Sequence, residues 1–331
     1  VKPKVAFIGT GGTISSIGKH PLDIMDYVVN DVRLHAAEIV EKFPELERVA
    51  DVIPIRFRNV PSFDIYFPEW RELVLLCDKA VAEIPDLAGI VIGHGTASLE
   101  ETAWALNMTV KVPVPVVVVG AQRPPSALSS DAGMNLVNAV RTAAAPDSRG
   151  RGVLVLLNDE IQAARDVVKT STYRMQTFRT PDFGALGHAD ADAVSYYRRT
   201  ERRTAPETEF DIRTLDALPR VDIAYAYTGS DGTAVRAFVG AGARGIVSAG
   251  FAPGFPGTAD GAALVEAVGQ GVTVVQSTRA GSGRTFRGER FRQNGILIAD
   301  NLNPQKARIL LALALTVTTE PSEIERIFAT Y

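Results

Sequence analysis

The chain has 331 residues, close to half of them apolar, and a net charge of −3 in which acidic and basic residues are mixed. That length and apolar content suffice for a large core and suggest two domains. No basic cluster argues for nucleic acid, since Arg198-Arg199 and Arg202-Arg203 are separated by Glu201 and read as a solvated connector.

The one cysteine, Cys77, lies inside an apolar pattern, so it reads as a core residue and no disulfide framework exists. Four histidines without His-x-x-x-His spacing argue against a bound catalytic metal. No run of about 20 apolar residues suggests a membrane anchor. A small soluble substrate is the default. The chain opens at Val1 directly on a strand, so the expected compartment is the cytoplasm, with removal of a leader as the alternative.

In chain order, apolar runs at 4–8, 52–57, 87–92, 114–119 and 153–157 are rich in valine and isoleucine and bounded by Gly, Pro or Asn. Helical patterns at Trp70 to Ile84, Leu99 to Met108 and Asp131 to Ala144 lie between several of them. The alternation predicts an α/β fold with a doubly wound, mostly parallel sheet over residues 1–197. A charged, threonine- and proline-bearing stretch at 198–219 reads as a linker. Strands at 221–227, 244–249 and 272–276, helices near 231–241 and 258–269, and a long apolar helix after Pro304 then predict a smaller α/β domain over 220–331.

Two of the strands run into glycine-rich turns that carry threonine: Gly9-Thr10-Gly11-Gly12-Thr13 and Gly93-His94-Gly95-Thr96. In an open α/β sheet the ligand crevice lies beyond the carboxyl ends of the strands. Glycine lets the backbone come close to a substrate there, and a threonine on such a turn suits a hydroxyl nucleophile. The plain alternative is a turn that closes a βα unit. The first loop lacks the third glycine of a dinucleotide fingerprint, where Ile14 stands, and lacks the Gly-Lys-Ser/Thr of a P-loop. His94 reads as a structural histidine at a strand end.

The segment Thr10-Gly11-Gly12-Thr13-Ile14, and His94-Gly95-Thr96 followed by Leu99-Glu100-Glu101-Thr102-Ala103, resemble the two signatures of the bacterial-type L-asparaginases and glutaminases. Ser129 to Asn135, Asn158-Asp159-Glu160-Ile161, Ala163-Ala164-Arg165-Asp166 and Asn303-Pro304-Gln305-Lys306-Ala307-Arg308 extend the resemblance over nearly the whole chain. It implies amide hydrolysis through an acyl-enzyme, with Thr13 as nucleophile and Tyr27 as its activating tyrosine, Tyr66 and Tyr173 being other tyrosines available. Thr96 and Lys169 match the second catalytic pair. The resemblance also implies no cofactor, and homodimers or homotetramers with sites completed across subunit interfaces.

The chain departs from that pattern where the substrate's amino group is held. The second signature usually reads His-Gly-Thr-Asp, but Ala97 and then Ser98 follow Thr96 here. Ser62 matches a serine that contacts the substrate carboxylate, whereas Phe63 replaces a polar neighbour. Gly250 to Pro256 stands where the family has a glycine- and asparagine-rich turn, and the family's acidic residue before the last strand falls near Glu289 or on Gly288. A buried ammonium without its carboxylate costs about 3–5 kcal/mol, and unpaired polar groups lose roughly 10⁴-fold in discrimination. The substrate contacts expected are therefore Ser62, Phe63, Gly95, Ala97, Ser98 and Glu289, around an amide, lactam or cyclic imide other than free asparagine. The alternatives are an ordinary asparaginase with a compensated site and a noncatalytic small-molecule-binding protein. Neither nucleic acid nor membrane is an expected partner.

Overall fold

The computed structural model describes residues 1–30 and 32–331, which form two units, Val1–Glu209 and Phe210–Tyr331. The first unit begins with β1 (Lys4–Gly9), α1 (Tyr27–Asn30), α2 (Ala36–Lys42) and β2 (Asp51–Ile55). It continues through α3 (Phe67–Glu83), β3 (Leu87–Gly93), α4 (Leu99–Thr109), β4 (Val116–Val119), α5 (Ala132–Ala144) and β5 (Val153–Leu157). Strands β6 (Glu160–Ala163), β7 (Val168–Lys169), β8 (Phe178–Arg179), β9 (Gly187–Ala189) and β10 (Val194–Tyr196) complete it.

The five valine- and isoleucine-rich runs form the parallel part of one sheet, whose full order is β10-β9-β6-β5-β4-β3-β1-β2. Phe7 pairs with Val91, Val91 with Val117 and Val117 with Leu154, so one row of side chains crosses the sheet. These side chains pack into a core with Ile39 of α2 and Leu136, Ala139 and Val140 of α5. Successive strand residues face opposite ways, and Ala6, Ile8, Ile90, Ile92, Val118 and Val155 are also buried. Helices α3 and α4 pack on β3, β4 and β5. Burial of both faces explains why these strands read as continuous apolar runs.

Helix α3 presents Phe67, Trp70, Leu73, Val74, Cys77 and Ala80 to the interior at helical spacing. It starts three residues before the predicted Trp70 because Pro68 occupies its first turn, where a missing N–H costs nothing. The indole of Trp70 donates to Thr102 of α4 at 3.1 Å. Cys77 on the same inward face is wholly buried, and burial pushes its thiol up to about 12.

The predicted parallel sheet acquires an antiparallel edge, since β6, β9 and β10 run against their neighbours. The direction reverses at Asn158 and Asp159, both at positive φ (52° and 64°), a pairing of residue types that tolerates the left-handed region of a two-residue hairpin. Asn138 of α5 donates to the Asp159 carboxylate at 2.8 Å and braces the turn.

The 198–219 stretch has no regular element, yet it is not detached. Lys111 donates to Thr208 Oγ1 at 2.6 Å, and Ala205 N donates to Asn107 O at 3.1 Å. Past the division at Glu209, Phe210 and Ile212 are buried within the second unit, where Phe210 packs against Tyr331.

The second unit contains β11 (Val221–Tyr225), α6 (Thr233–Gly240), β12 (Gly245–Gly250), α7 (Thr258–Gly269) and β13 (Thr273–Thr278). It ends with α8 (Glu289–Gln293), β14 (Leu297–Ile298), α9 (Pro304–Ala314) and α10 (Pro321–Thr330). Its strands are parallel in the order β11-β12-β13-β14. Asn303 caps α9 by accepting from Lys306 N at 3.0 Å, and Pro304 fills its first turn. No described helix is long and apolar enough to cross a membrane.

Candidate active site

Strands β1 and β3 are parallel neighbours with Gly9 opposite Gly93, so their carboxyl ends open at the same edge. Thr10 locks them there: its N–H and its hydroxyl both donate to the Gly93 carbonyl, at 2.9 and 3.0 Å. Beyond that rung the two loops touch. Gly12 lies at φ 84°, and a Cβ on it would fall 2.1 Å from the Gly95 Cα. A Cβ on Gly95 would in turn fall 2.8 Å from the Ser62 Oγ. Glycine is required at both positions by contact, and the residue after each glycine is a threonine.

Thr13 and Thr96 consequently line one cleft of about 250 Å³, with Tyr27, Ser62, Phe63, Gly95, Ala97 and Lys169 among its walls. The Thr13 hydroxyl lies 2.6 Å from the Tyr27 hydroxyl, and either is able to donate. Lys169 Nζ donates to Thr96 Oγ1 at 2.8 Å. One cleft therefore holds two hydrogen-bonded pairs, a hydroxyl with a hydroxyl and a hydroxyl with a lysine amine.

The loop that delivers Tyr27 is built around Asp23, a buried carboxylate that accepts from Lys19 N at 2.9 Å and Asp26 N at 3.0 Å. Those backbone donors, Lys19 first, hold its carboxyl below the usual range. Gly18 N donates to Ser126 Oγ at 2.7 Å, which fastens the loop to the segment before α5. Tyr66 instead stacks edge-on against Trp70, and Tyr173 is largely exposed; neither lines the cleft.

Lys169 arrives from β7, which follows the β5–β6 hairpin. Its main-chain N–H donates to the Glu100 carboxylate of α4. Burial lowers the Lys169 pKa below the ordinary lysine value, while the Glu100 charge partly opposes that shift. A lysine that loses its proton more readily is able to take one from a hydroxyl or water.

Ser98 does not line the cleft; its hydroxyl donates to the Ser62 carbonyl and ties the two loops together. Glu289 lies in the second unit at the head of α8, where its carboxylate accepts from Gln293 at 3.1 Å. There it lines a separate, aromatic-walled pocket of about 370 Å³ with Phe255 and Phe286. His94 is wholly buried and burial pushes its pKa down to about 4, so the ring is neutral and its Nδ1–H donates to the Gly95 carbonyl at 2.8 Å. It holds the loop and stays out of the cleft.

Ser16, Val28, Arg33 and Pro61 also line the cleft, and sequence reading singled out none of them. They belong to no motif; Val28 comes from the single turn of α1 and the others from loops, none of them long enough to show apolar periodicity. Glu100 stood inside a quoted motif, but nothing in that motif tied it to Lys169.

A mostly parallel, doubly wound α/β unit that brings a hydroxyl nucleophile and a lysine base into one cleft at its strand ends, followed by a smaller parallel α/β unit, supplies what hydrolysis through a covalent intermediate needs. The family profile described as "Asparaginase, N-terminal" matches residues 4–202, and that described as "Glutaminase/Asparaginase C-terminal domain" matches residues 220–328. The chain belongs to the asparaginase family. It is 39% identical over 329 residues to L-asparaginase 2 of Bacillus subtilis (strain 168), covering 99% of this chain and 87% of that protein. It is 37% identical over 334 residues to the glutaminase-asparaginase of Pseudomonas fluorescens biotype A, covering 99% and 90%. The crystal structure of a probable cytoplasmic L-asparaginase from Campylobacter jejuni superposes with a TM-score of 0.94 at 35% identity, over the full length of both chains.

Proposed function

We propose that this asparaginase-family enzyme hydrolyses an amide whose carbonyl end fits between the Thr13–Tyr27 and Thr96–Lys169 pairs but which carries no free α-ammonium group. The observation that carries the reading is Ala97, which lines the cleft beside Thr96 where the family resemblance calls for an aspartate. Among the described residues that line the cleft none is a carboxylate. An ammonium buried there without a counter-ion would lose about 3–5 kcal/mol.

In the reaction, Thr13 Oγ1 attacks the amide carbonyl carbon and passes its proton toward Tyr27. The carbon–nitrogen bond then breaks, and the amine takes up a proton as it leaves an acyl ester on Thr13. Water attacks that ester, Thr96 and Lys169 accept its proton, and the acid departs as Thr13 regains its hydrogen. Ser62 and Phe63 contact the remainder of the substrate. Glu289 is proposed to act in the site completed by a second subunit.

The active unit is a dimer or a dimer of dimers. Support comes from Tyr225, Tyr227, Phe255 and Phe286 of the second unit, large side chains that are each close to half exposed or more. The cytoplasm is the proposed compartment, on the wording of the Campylobacter jejuni protein's name, and cell fractionation tests it.

The deciding experiment is a panel of half-amides, N-substituted amides, lactams and cyclic imides, run beside asparagine and glutamine and read by mass spectrometry. Preferred turnover of a compound without an α-ammonium supports the reading, and asparagine as the best substrate overturns it.

A further inference from the structure

The cleft is polar where it is buried and apolar where it meets water. Thr13, Ser62 and Thr96 are each less than a tenth exposed and form its floor. Phe63 and Val28 line the same cleft but are 73% and 54% exposed, and Ala97 is exposed too.

The same order repeats in three separate segments. Tyr27 is followed by Val28, Ser62 by Phe63 and Thr96 by Ala97, so a hydroxyl that faces the floor precedes an apolar residue at the rim each time. Single apolar residues on a surface are ordinary, but Val28, Pro61, Phe63 and Ala97 around one cleft form a patch. Folding supplies no reason for it, because a side chain left in water adds little to the core. The family resemblance calls for a polar residue both beside Ser62 and after Thr96, and both are apolar here.

The backbone holds both large rim residues in place before anything binds. Phe63 sits in the turn Ser62–Asp64, closed by Asp64 N donating to Pro61 O at 2.9 Å and Ile65 N donating to Ser62 O at 3.1 Å. Val28 rides on α1, which is tied to the floor twice: Asn30 Nδ2 donates to Ile17 O at 3.0 Å, and the Tyr27 hydroxyl meets that of Thr13 at 2.6 Å. An apolar group laid against such a wall leaves water without first having to order it.

We propose that the substrate is the primary amide of an apolar carboxylic acid, with its alkyl or aryl chain received against Phe63 and Val28, and that Phe63 sets this specificity. This rests on the reading above, that the enzyme opens an amide lacking an α-ammonium, and adds what the acyl part is made of. The chain belongs to the acyl part because Ser62 and Ala97 match, by the resemblance, positions that hold that end of the substrate. Water is added across the carbon–nitrogen bond, releasing ammonia and the apolar acid. A volume of about 250 Å³ lies just under the usual 300–1,000 Å³ of drug-sized ligand sites and admits a chain of a few carbons or one ring.

The test uses the purified full-length enzyme and a series of primary amides, propionamide, butyramide, pentanamide and hexanamide, with asparagine beside them and ammonia release as the readout. Each methylene buried against the rim is expected to raise kcat/KM about fourfold, so hexanamide exceeds propionamide by about 60-fold. Phe63→Ser is expected to lower the hexanamide-to-propionamide ratio by about tenfold or more, chiefly through KM, with Phe63→Leu keeping most of it. A wild-type series that is flat, falling or not turned over at all overturns the proposal, as does an unchanged ratio in a folded Phe63→Ser enzyme. If Phe63→Ser does not fold, the wild-type series decides alone.

The two failures are distinguishable. A flat series from an enzyme that turns over another amide without an α-ammonium defeats the apolar rim and leaves the underlying reading standing. Asparagine as the best substrate defeats the underlying reading, and the hexanamide-to-propionamide ratio still reports on Phe63 separately.

Discussion

Lys169 Nζ lies 2.8 Å from Thr96 Oγ1, although the two residues are 73 positions apart in the chain. The lysine's main-chain N–H is held by Glu100, four residues after Thr96 and on the helix that follows it. One βα unit thus supplies both the hydroxyl and the anchor that aims the base at it.

The pair is expected to act as a unit. Lys169→Met and Thr96→Val should each lower kcat by about 10²–10⁴-fold, and the double variant should be little worse than either. Single-turnover kinetics on a confirmed substrate test this, and fully additive losses count against a coupled pair.

The pH profile carries a signed expectation. A base works deprotonated, so activity rises with pH through the Lys169 pKa, which burial places below the ordinary lysine value and Glu100 pulls back up. Glu100→Gln keeps an acceptor oxygen for the Lys169 N–H but removes the negative charge. The acid limb of kcat/KM should therefore move to lower pH, and a limb that stays fixed or moves upward shows that Glu100 does not tune this base.

Thr13 and Tyr27 share a 2.6 Å hydrogen bond at the other side of the cleft. Thr13→Val preserves shape and should reduce turnover by about 10³-fold or more, with no acyl ester trapped by rapid quench. Tyr27→Phe should cost about 10²-fold, because the hydroxyl nucleophile remains. Near-normal turnover by Thr13→Val would remove it from the nucleophile's role.

Ala97→Asp returns a carboxylate to the wall beside Thr96. The ratio of asparagine turnover to native-substrate turnover is expected to rise by about tenfold or more, with Phe63→Gln added if the aromatic rim still blocks the carboxylate end. No gain on any α-amino amide, in a double variant that is folded and active on its own substrate, refutes the role given to Ala97.

The contact between the two catalytic loops has its own signature in stability. Gly12→Ala would drive a Cβ to 2.1 Å from the Gly95 Cα at a positive φ, and should cost at least about 3 kcal/mol in urea unfolding. Gly240→Ala, with no heavy atom within 4 Å of the added Cβ, should change stability by less than about 1 kcal/mol.

By itself the sequence determined the layered α/β architecture. Strands buried on both faces must be apolar without interruption, and the helices between them must show apolar residues at helical spacing, so Val5 to Ile8, Ile90 to Ile92 and the helix from Trp70 onward carried their own assignment. It also marked Thr13 and Thr96, because glycine-rich turns at the ends of apolar strands leave a local signal. The short antiparallel strands β6 to β10 leave none: two to four residues are too few to show a period, and of their pairings only that of β6 with β5 is made at the Asn158-Asp159 turn.

Only the tertiary structure decided what surrounds the two threonines. The touching of Gly12 and Gly95, the turning of Ser98 toward Ser62, the anchoring of Lys169 on Glu100 and the place of Arg33 in the cleft all join residues from separate loops. Such contacts depend on strand register and on which side chain a neighbouring loop excludes, and a local pattern of residues encodes neither.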